Sequence, residues 1–398
     1  MVNLVQSLKV GDTSYTIKDS NTIPGLTAGQ KSVLLASGTY LDKAVVDGKV
    51  FETDAGKFER FNKTVTGATL GSTWTAHDMG VTYVGTQSSF LAYGAGVFVT
   101  IDTEGYGFYS TDGINWKPMQ IPVHKYYSAI AFTGGRFIAC SNDGQTSITS
   151  LDGINWTAGS AGSRSGSNKS ITFANGYYYI IAPSTVRKSL DGVNWESGPS
   201  LPFSGSKKLH AEYGNGVLTV LSQISTTGGY QGAYMKDGES SWTSFVHPVR
   251  AVEGLVYGDG NFVATSSYSS AYHSTDGFTW TGASLPAYEY WGGVVYGEGI
   301  FVALRHHGGT PQAYSVDGGV TWQPTTLPGG SWYWGAYGDG KFVAMQLEAT
   351  KVAINNLDIT YSYSTTPLSY TAAEVDAMVA QATITEDKVD VSTGTLVL

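Results

Sequence analysis

Two aromatic runs carry the residue types best suited to recognising another molecule. Tyr288, Glu289, Tyr290 and Trp291 form one; Trp332, Tyr333 and Trp334 form the other, about forty residues later. Aromatic rings beside polar groups stack on sugar rings or anchor protein contacts. The same rings suit a second use, filling a central space by packing. Tyr126, Tyr127 and Lys208 fall at corresponding points earlier in the chain. Glu289 is the most suggestive carboxylate of the set, and no partner can be named for the paired carboxylates that glycoside hydrolysis uses.

Other reactive residues lack company. Cys140 is the single cysteine and lies in RFIAC, an apolar run that reads as a buried strand, so its thiol reads as structural. His306 and His307 are adjacent, and adjacent side chains on a strand point to opposite faces, which is poor for chelation. The glycines of GYGFYS (105–110) and GGYQG (228–232) read as turns, not as a phosphate loop. The expectation is no cofactor and no metal.

These residues sit on a repeat. A Gly-rich pair of strands recurs at a spacing near forty residues, clearest in LVYGDGNFVA (255–264), VVYGEGIFVA (294–303) and GAYGDGKFVA (335–344). Its second glycine falls at Gly96, Gly135, Gly176, Gly216, Gly260, Gly299 and Gly340. A second motif follows most copies: STDGINW (110–116), SLDGINW (150–156), SLDGVNW (189–195), STDGFTW (274–280) and SVDGGVTW (315–322). Each unit reads as four short strands. A period near forty with four strands is the signature of a β-propeller, here with seven blades. Trp116, Trp156, Trp195, Trp242, Trp280 and Trp322 recur at one fixed place and read as blade-to-blade packing. The DG pair closes the turn between strands three and four, with the Ser hydroxyl and Asp carboxylate bonding local backbone. The lead-in to each unit holds Ser88, Ser128, Asn168, Lys208, Val252, Trp291 and Trp332, a place that does not repeat and so reads as surface.

The box at 315–322 resembles the Asp-box of bacterial neuraminidase repeats, S-x-D-x-G-x-T-W, at every position. The copies at 110, 150, 189 and 274 look like a one-residue-shorter form. MKDGESSW (235–242) loses the Ser, and INNLDITY (354–361) looks like a degenerate seventh copy with Tyr361 in the Trp place. The resemblance implies a propeller whose Asp112, Asp152, Asp191, Asp237, Asp276 and Asp317 are structural. It also raises sialidase chemistry, which needs three arginines around a carboxylate and a Tyr activated by a Glu. The arginines are Arg60, Arg136, Arg164, Arg187, Arg250 and Arg305. Arg60 precedes the repeat and Arg136 looks like a turn residue, leaving Arg164, Arg250 and Arg305 to face the centre. The expectation is a protein that is not an enzyme.

Outside the repeat, LVQSLKVGDTSYTIKD reads as a hairpin turning at Gly11-Asp12, with further turns at Asp47-Gly48 and Asp54 to Gly56. After it, Thr371 and Glu374 form a capping box, and Val375, Met378, Val379 and Ala382 share one helical face. SLKVGDTSYTIKD looks like the attachment segments of bacteriophage tail and fibre proteins. YTAAEVDAMVAQA resembles a segment, Y-[ST]-K-A-E-V-D-x-L-I-A, common in phage fibre and baseplate proteins near a trimer axis, with Ala373 in place of the Lys.

The net charge of −9 argues against nucleic acid, which calls for a basic face. No apolar stretch is long enough to span a membrane, and MVNLVQSLKVGD lacks a signal-peptide pattern. The expectation is an all-β protein: a small β domain over 1–80 for virion attachment, a seven-bladed propeller over 81–365, and a short helical docking or oligomerising segment over 366–398. Its expected role is that of a bacteriophage virion protein made in the host cytoplasm. It would oligomerise, a trimer being possible, and touch other virion proteins through both flanks. Its propeller would bind a host-surface glycan or protein. Alternative roles are a head fibre or capsid decoration protein and a virion-associated glycoside hydrolase.

Overall fold

The computed structural model describes residues 7–10, 13–16, 50–52, 58–81, 90–102, 104–162, 170–205, 208–287, 290–305, 311–346, 350–368, 389–390 and 395–396. The chain divides into two compact units, Ala68–Asp358 and a second made of Met1–Gly67 with Ile359–Leu398.

The larger unit is a seven-bladed β-propeller. Each blade is a four-stranded antiparallel sheet. Blade one runs Phe90–Gly94, Val97–Ile101, Gly107–Ser110 and Lys117–Met119, and blades two to six follow the same plan in chain order. The first strand of each blade neighbours that of the next, and the seventh returns to the first, so these strands surround an axis. Second strands are buried on both faces, as in Val97–Ile101 and Ile300–Arg305, because each sheet packs between two others. Between blades one and two, for example, Val97, Val99 and Ile101 meet Phe137, Ala139 and Ile148.

The two glycines of the repeat have different reasons. The second takes positive φ, and so does the residue before it: Ala95 and Gly96 at 47° and 78°, Asp339 and Gly340 at 47° and 72°. Two successive positive φ values make the type I′ turn that matches strand twist. The first glycine makes room instead. A Cβ on Gly94 would lie 2.0 Å from the ring of Phe132 in blade two, and one on Gly338 would lie 2.1 Å from Tyr93 in blade one. Gly214, Gly258 and Gly297 seat Tyr257, Tyr296 and Tyr337 in the same way, whereas Thr133 and Ala174 hold this place in blades two and three.

Five Asp-boxes share one hydrogen-bond net, as expected. In the first, Ser110 Oγ donates to Asp112 Oδ1 at 2.9 Å and accepts from Gly113 N–H at 2.9 Å. Asp112 Oδ1 accepts from the Ile114 and Asn115 backbone at 2.8 Å each, and the Trp116 indole N–H donates to Gly113 O at 3.0 Å. Partial burial works against ionisation of Asp112, yet these donors and the Asn115 side chain outweigh it and hold the carboxyl below the ordinary range. The same balance brings Asp152 to about 2. The copies at Asp191, Asp276 and Asp317 repeat the Ser–Asp bond. Asp237, without the Ser, instead accepts from the Tyr213 hydroxyl, and Trp242 donates to Pro199 O in the preceding blade. Trp195 likewise donates to Ser147 Oγ of the preceding blade, as blade-to-blade packing requires.

The seventh blade differs from expectation. Its strands are Trp332–Gly338, Lys341–Gln346, Lys351–Asn356 and, on the outside, Thr75–Asp78. Residues 68–80 therefore belong with the repeat, and Asp358–Leu368, which contains Tyr361, pairs elsewhere. Trp74, 7 % exposed, takes the Trp place assigned to Tyr361. The physical gain is closure, since an outer strand drawn from before blade one fastens the ring.

In the smaller unit, Ser7–Val10 pairs with Thr13–Thr16, the hairpin read from the sequence. Val50–Glu52, Phe58–Thr69 and Asp358–Leu368 form one sheet, and Val389–Asp390 pairs with Thr395–Leu396. The three predicted turns and the helix from Thr371 to Ala382 lie outside the described residues.

Candidate functional site at the channel mouth

The chain enters each inner strand at one end of the propeller, and the Gly turns and Asp-boxes lie at the other. At the entry end four inner strands carry a bulge, at Tyr127/Ala129, Val252/Gly254, Trp291/Val294 and Trp332/Trp334. A bulge leaves one residue out of the ladder and re-aims its side chain. In blades five and seven that residue is Glu253 and Tyr333, and both line an axial cavity of 730 Å³.

Lys208, just ahead of the inner strand of blade four (Leu209–Gly214), joins them. Its ammonium donates to Glu253 Oε2 and lies 3.0 Å from the Tyr333 hydroxyl. That hydroxyl donates to the same Glu253 oxygen at 2.7 Å, and Ser267 Oγ donates to Oε1 at 2.6 Å. Lys208 and Glu253 are 21 % and 16 % exposed, so the pair is mostly removed from water and removing one partner strands a charge. Burial first, and then the Glu253 charge, push the Tyr333 phenol well above its ordinary range. The trio links blades four, five and seven at the rim.

Below the rim, His210 and Glu212 alternate along the inner strand of blade four and line the cavity. Burial, helped by the nearby Lys208 charge, lowers His210 to about 3, so its imidazole is neutral; its Nε2 has no hydrogen-bond partner. Burial raises Glu212 to about 7 against the one hydrogen bond it accepts, from the Tyr213 backbone at 3.1 Å. Opposite, Trp334 packs tilted against Phe90 and edge-to-face with Tyr333, with centroids 4.7 and 4.6 Å away, and its indole N–H is buried and unbonded. Among the described residues lining the cavity there is no arginine, and no group of three potential ligands converges on a metal position. Arg305 is buried at the end of a second strand, Arg250 lies over the Tyr268 ring at 4.5 Å, and Arg164 is outside the described residues.

Of the residues read from the sequence, Lys208, Tyr333, Trp334 and Tyr126 come together around this cavity. Tyr126 is 65 % exposed; Tyr290 is 56 % exposed and away from the cavity lining. Trp291, Trp332 and Tyr127 are corrected. They are 1 %, 0 % and 1 % exposed, and each bonds the carbonyl four residues earlier, Ala287, Pro328 and Val123. All three occupy one place, opposite the end of the second strand, and are packed between blades; Trp291 and Trp332 lie away from the cavity, while Tyr127 borders it with almost no free surface. Tyr288, Glu289, His306 and His307 lie outside the described residues.

Glu253, His210 and Glu212 were missed. Glu212 had a signal: its place holds Ala92, Ala131, Thr172, Val256, Val295 and Ala336 in the other blades, so a carboxyl there breaks the frame.

No family model and no curated protein sequence matches the chain. Solved structures match its fold. A catalytically inactive variant of virginiamycin B lyase from Staphylococcus aureus, with quinupristin, superposes with TM-score 0.59 at 9 % identity over 71 % of this chain and 99 % of that one. A streptogramin B lyase gives 0.58 at 11 % over 72 % and 98 %, and YCF48 from Cyanidioschyzon merolae gives 0.52 at 13 % over 71 % and 98 %. At such identities the likeness is one of fold. The expectation of a non-enzyme is nevertheless overturned as it was argued: the fold is shared with lyases, so a propeller without sialidase residues is not thereby without catalysis.

Proposed function

We propose that this chain is a bacteriophage virion protein whose propeller recognises a host-surface glycan noncovalently at the channel mouth. The observation that carries the reading is the 730 Å³ cavity opening beside a fixed Lys208–Glu253–Tyr333 trio, with exposed Tyr126 at its edge. A preformed concavity with a few oriented polar groups and aromatic faces is what small polar ligands bind. The phage-like segments at either flank support a place on the virion, where they would attach or oligomerise the chain, and many copies would bind with avidity. The test is saturable binding of the full-length protein to host cells and to glycan extracted from them. A folded protein that binds neither sinks the reading and favours a structural role on the particle.

Glu212 favours a second reading, catalysis on the bound ligand. A carboxyl held near neutrality is suited to proton transfer. Turnover of host polysaccharide by the protein, abolished in Glu212→Gln, would establish it; unchanged polysaccharide would reject it.

A further inference from the structure

Charge along the cavity wall is unevenly matched. Lys208 is compensated by Glu253, whereas no cation pairs with Glu212 among the described residues. On the same strand, two residues away and on the same face, His210 holds its unbonded Nε2 in the wall. Trp334 also lines the cavity, its indole N–H buried without a hydrogen-bond partner. Glu212 is half-buried, and a frame that elsewhere uses Ala, Val or Thr at its place has no packing need for a carboxyl there.

These groups define a complementary molecule. A carboxyl without a counter-ion takes a cation. The neutral imidazole of His210 beside it adds no competing charge. Anions are disfavoured, because the one lining ammonium is already engaged. A bare metal is disfavoured too, since no third ligand converges on Glu212 and His210 among the described residues. The volume is in the range of roughly 300–1,000 Å³ that holds small organic ligands, and the aromatic residues Tyr333 and Trp334 are among those lining it.

We propose that the axial cavity binds a small primary amine, a hexosamine being of the right kind, with its ammonium on Glu212. This names the ligand chemistry of the recognition site and rests on that reading for the source of the ligand. Binding the ammonium draws the Glu212 carboxyl into its ionised form, so the O–H bond breaks and the proton passes to solvent. The raised affinity of the empty site for that proton makes the release measurable at neutral pH.

The experiment is titration calorimetry of the full-length protein with glucosamine, glucose and N-acetylglucosamine at pH 7, in two buffers of different ionisation heat. Glucosamine is expected to bind about tenfold or more tightly than either neutral sugar, with release of a proton. Glu212→Gln, which keeps the shape, is expected to lose about tenfold in glucosamine affinity and the proton release together. Trp334→Phe, which keeps most of the ring and removes a buried N–H, is expected to leave the proton count unaltered. Thermal unfolding of each variant shows that it is folded. Equal binding of glucosamine and glucose, or wild-type binding by folded Glu212→Gln, overturns the proposal. Absence of sugar binding in a protein that still adheres to host cells overturns it while leaving adhesion standing. Amine-selective binding without adhesion upholds the cavity and removes the adhesive role.

Discussion

The backbone N–H of Gly71 donates to the side chain of Asn355, at 2.9 Å and 284 residues apart in the chain. Asn355 stands opposite Phe342 as Ser110 stands opposite Phe98, and Gly71 precedes Trp74 by the same interval as Gly113 precedes Trp116. The seventh box is therefore assembled from both ends of the propeller sequence. Asn355 Nδ2 also donates to the carbonyls of Gly71 and Thr73, at 2.8 and 3.0 Å, and the residue is fully buried. Asn355→Ala leaves these groups unpaired and should destabilise the propeller by about 2–3 kcal/mol, read from the denaturant midpoint. A midpoint unchanged within error would show that the ring does not depend on this closure.

Trp291 and Trp332 are packing anchors. Replacing either by Ala opens a cavity between blades and should cost about 3–5 kcal/mol in unfolding experiments. Tyr126→Ala, at an exposed ring, should leave stability within about 0.5 kcal/mol.

The Asp-boxes and Glu212 respond to pH with opposite sign. Asp152 titrates lower in the fold than in the unfolded chain, so its contribution is complete above the unfolded carboxylate value and is lost as pH falls toward about 2. Stability should fall on acidification below roughly pH 4, and Asp152→Asn should flatten that slope.

Glu212 titrates higher in the fold. Stability therefore declines as pH rises from the unfolded value of about 4.3 to about 7, and is level above it. The charged and titratable groups that line the cavity with it are His210 and Lys208 from blade four, Glu253 from blade five and Tyr333 from blade seven; His210, lowered to about 3, stays neutral across this window. Glu212→Gln should stabilise the protein at pH 8 by on the order of 2 kcal/mol and hardly at pH 4. Equal effects at both pH values would contradict a late-titrating carboxyl.

The fold was legible because the residues that build it repeat. Gly96 and its equivalents, the Ser–Asp pairs and the box tryptophans each answer the same local demand in successive blades, and repetition exposes a demand. Trp74 was not legible as the seventh of these, because closure sets it apart from Asn355 by nearly the whole propeller. The site was legible only in part, for the opposite reason. Lys208, Tyr333 and Trp334 stood out as aromatic or charged residues at a variable place, but so did Trp291 and Trp332, whose burial depends on a bulge that spacing does not reveal. Glu253 is itself a bulged residue, and its pairing with Lys208 and Tyr333 exists only once three blades surround an axis.

The most direct test of recognition at the channel mouth compares its two faces. Adhesion of the full-length protein to host cells would be measured for Lys208→Ala and for Asp152→Asn, both verified as folded. Lys208→Ala removes the trio's cation at the rim, while Asp152→Asn alters a box at the opposite end. Adhesion lost by about tenfold or more in Lys208→Ala and retained in Asp152→Asn is the predicted result. Equal adhesion in both variants would contradict recognition at the mouth.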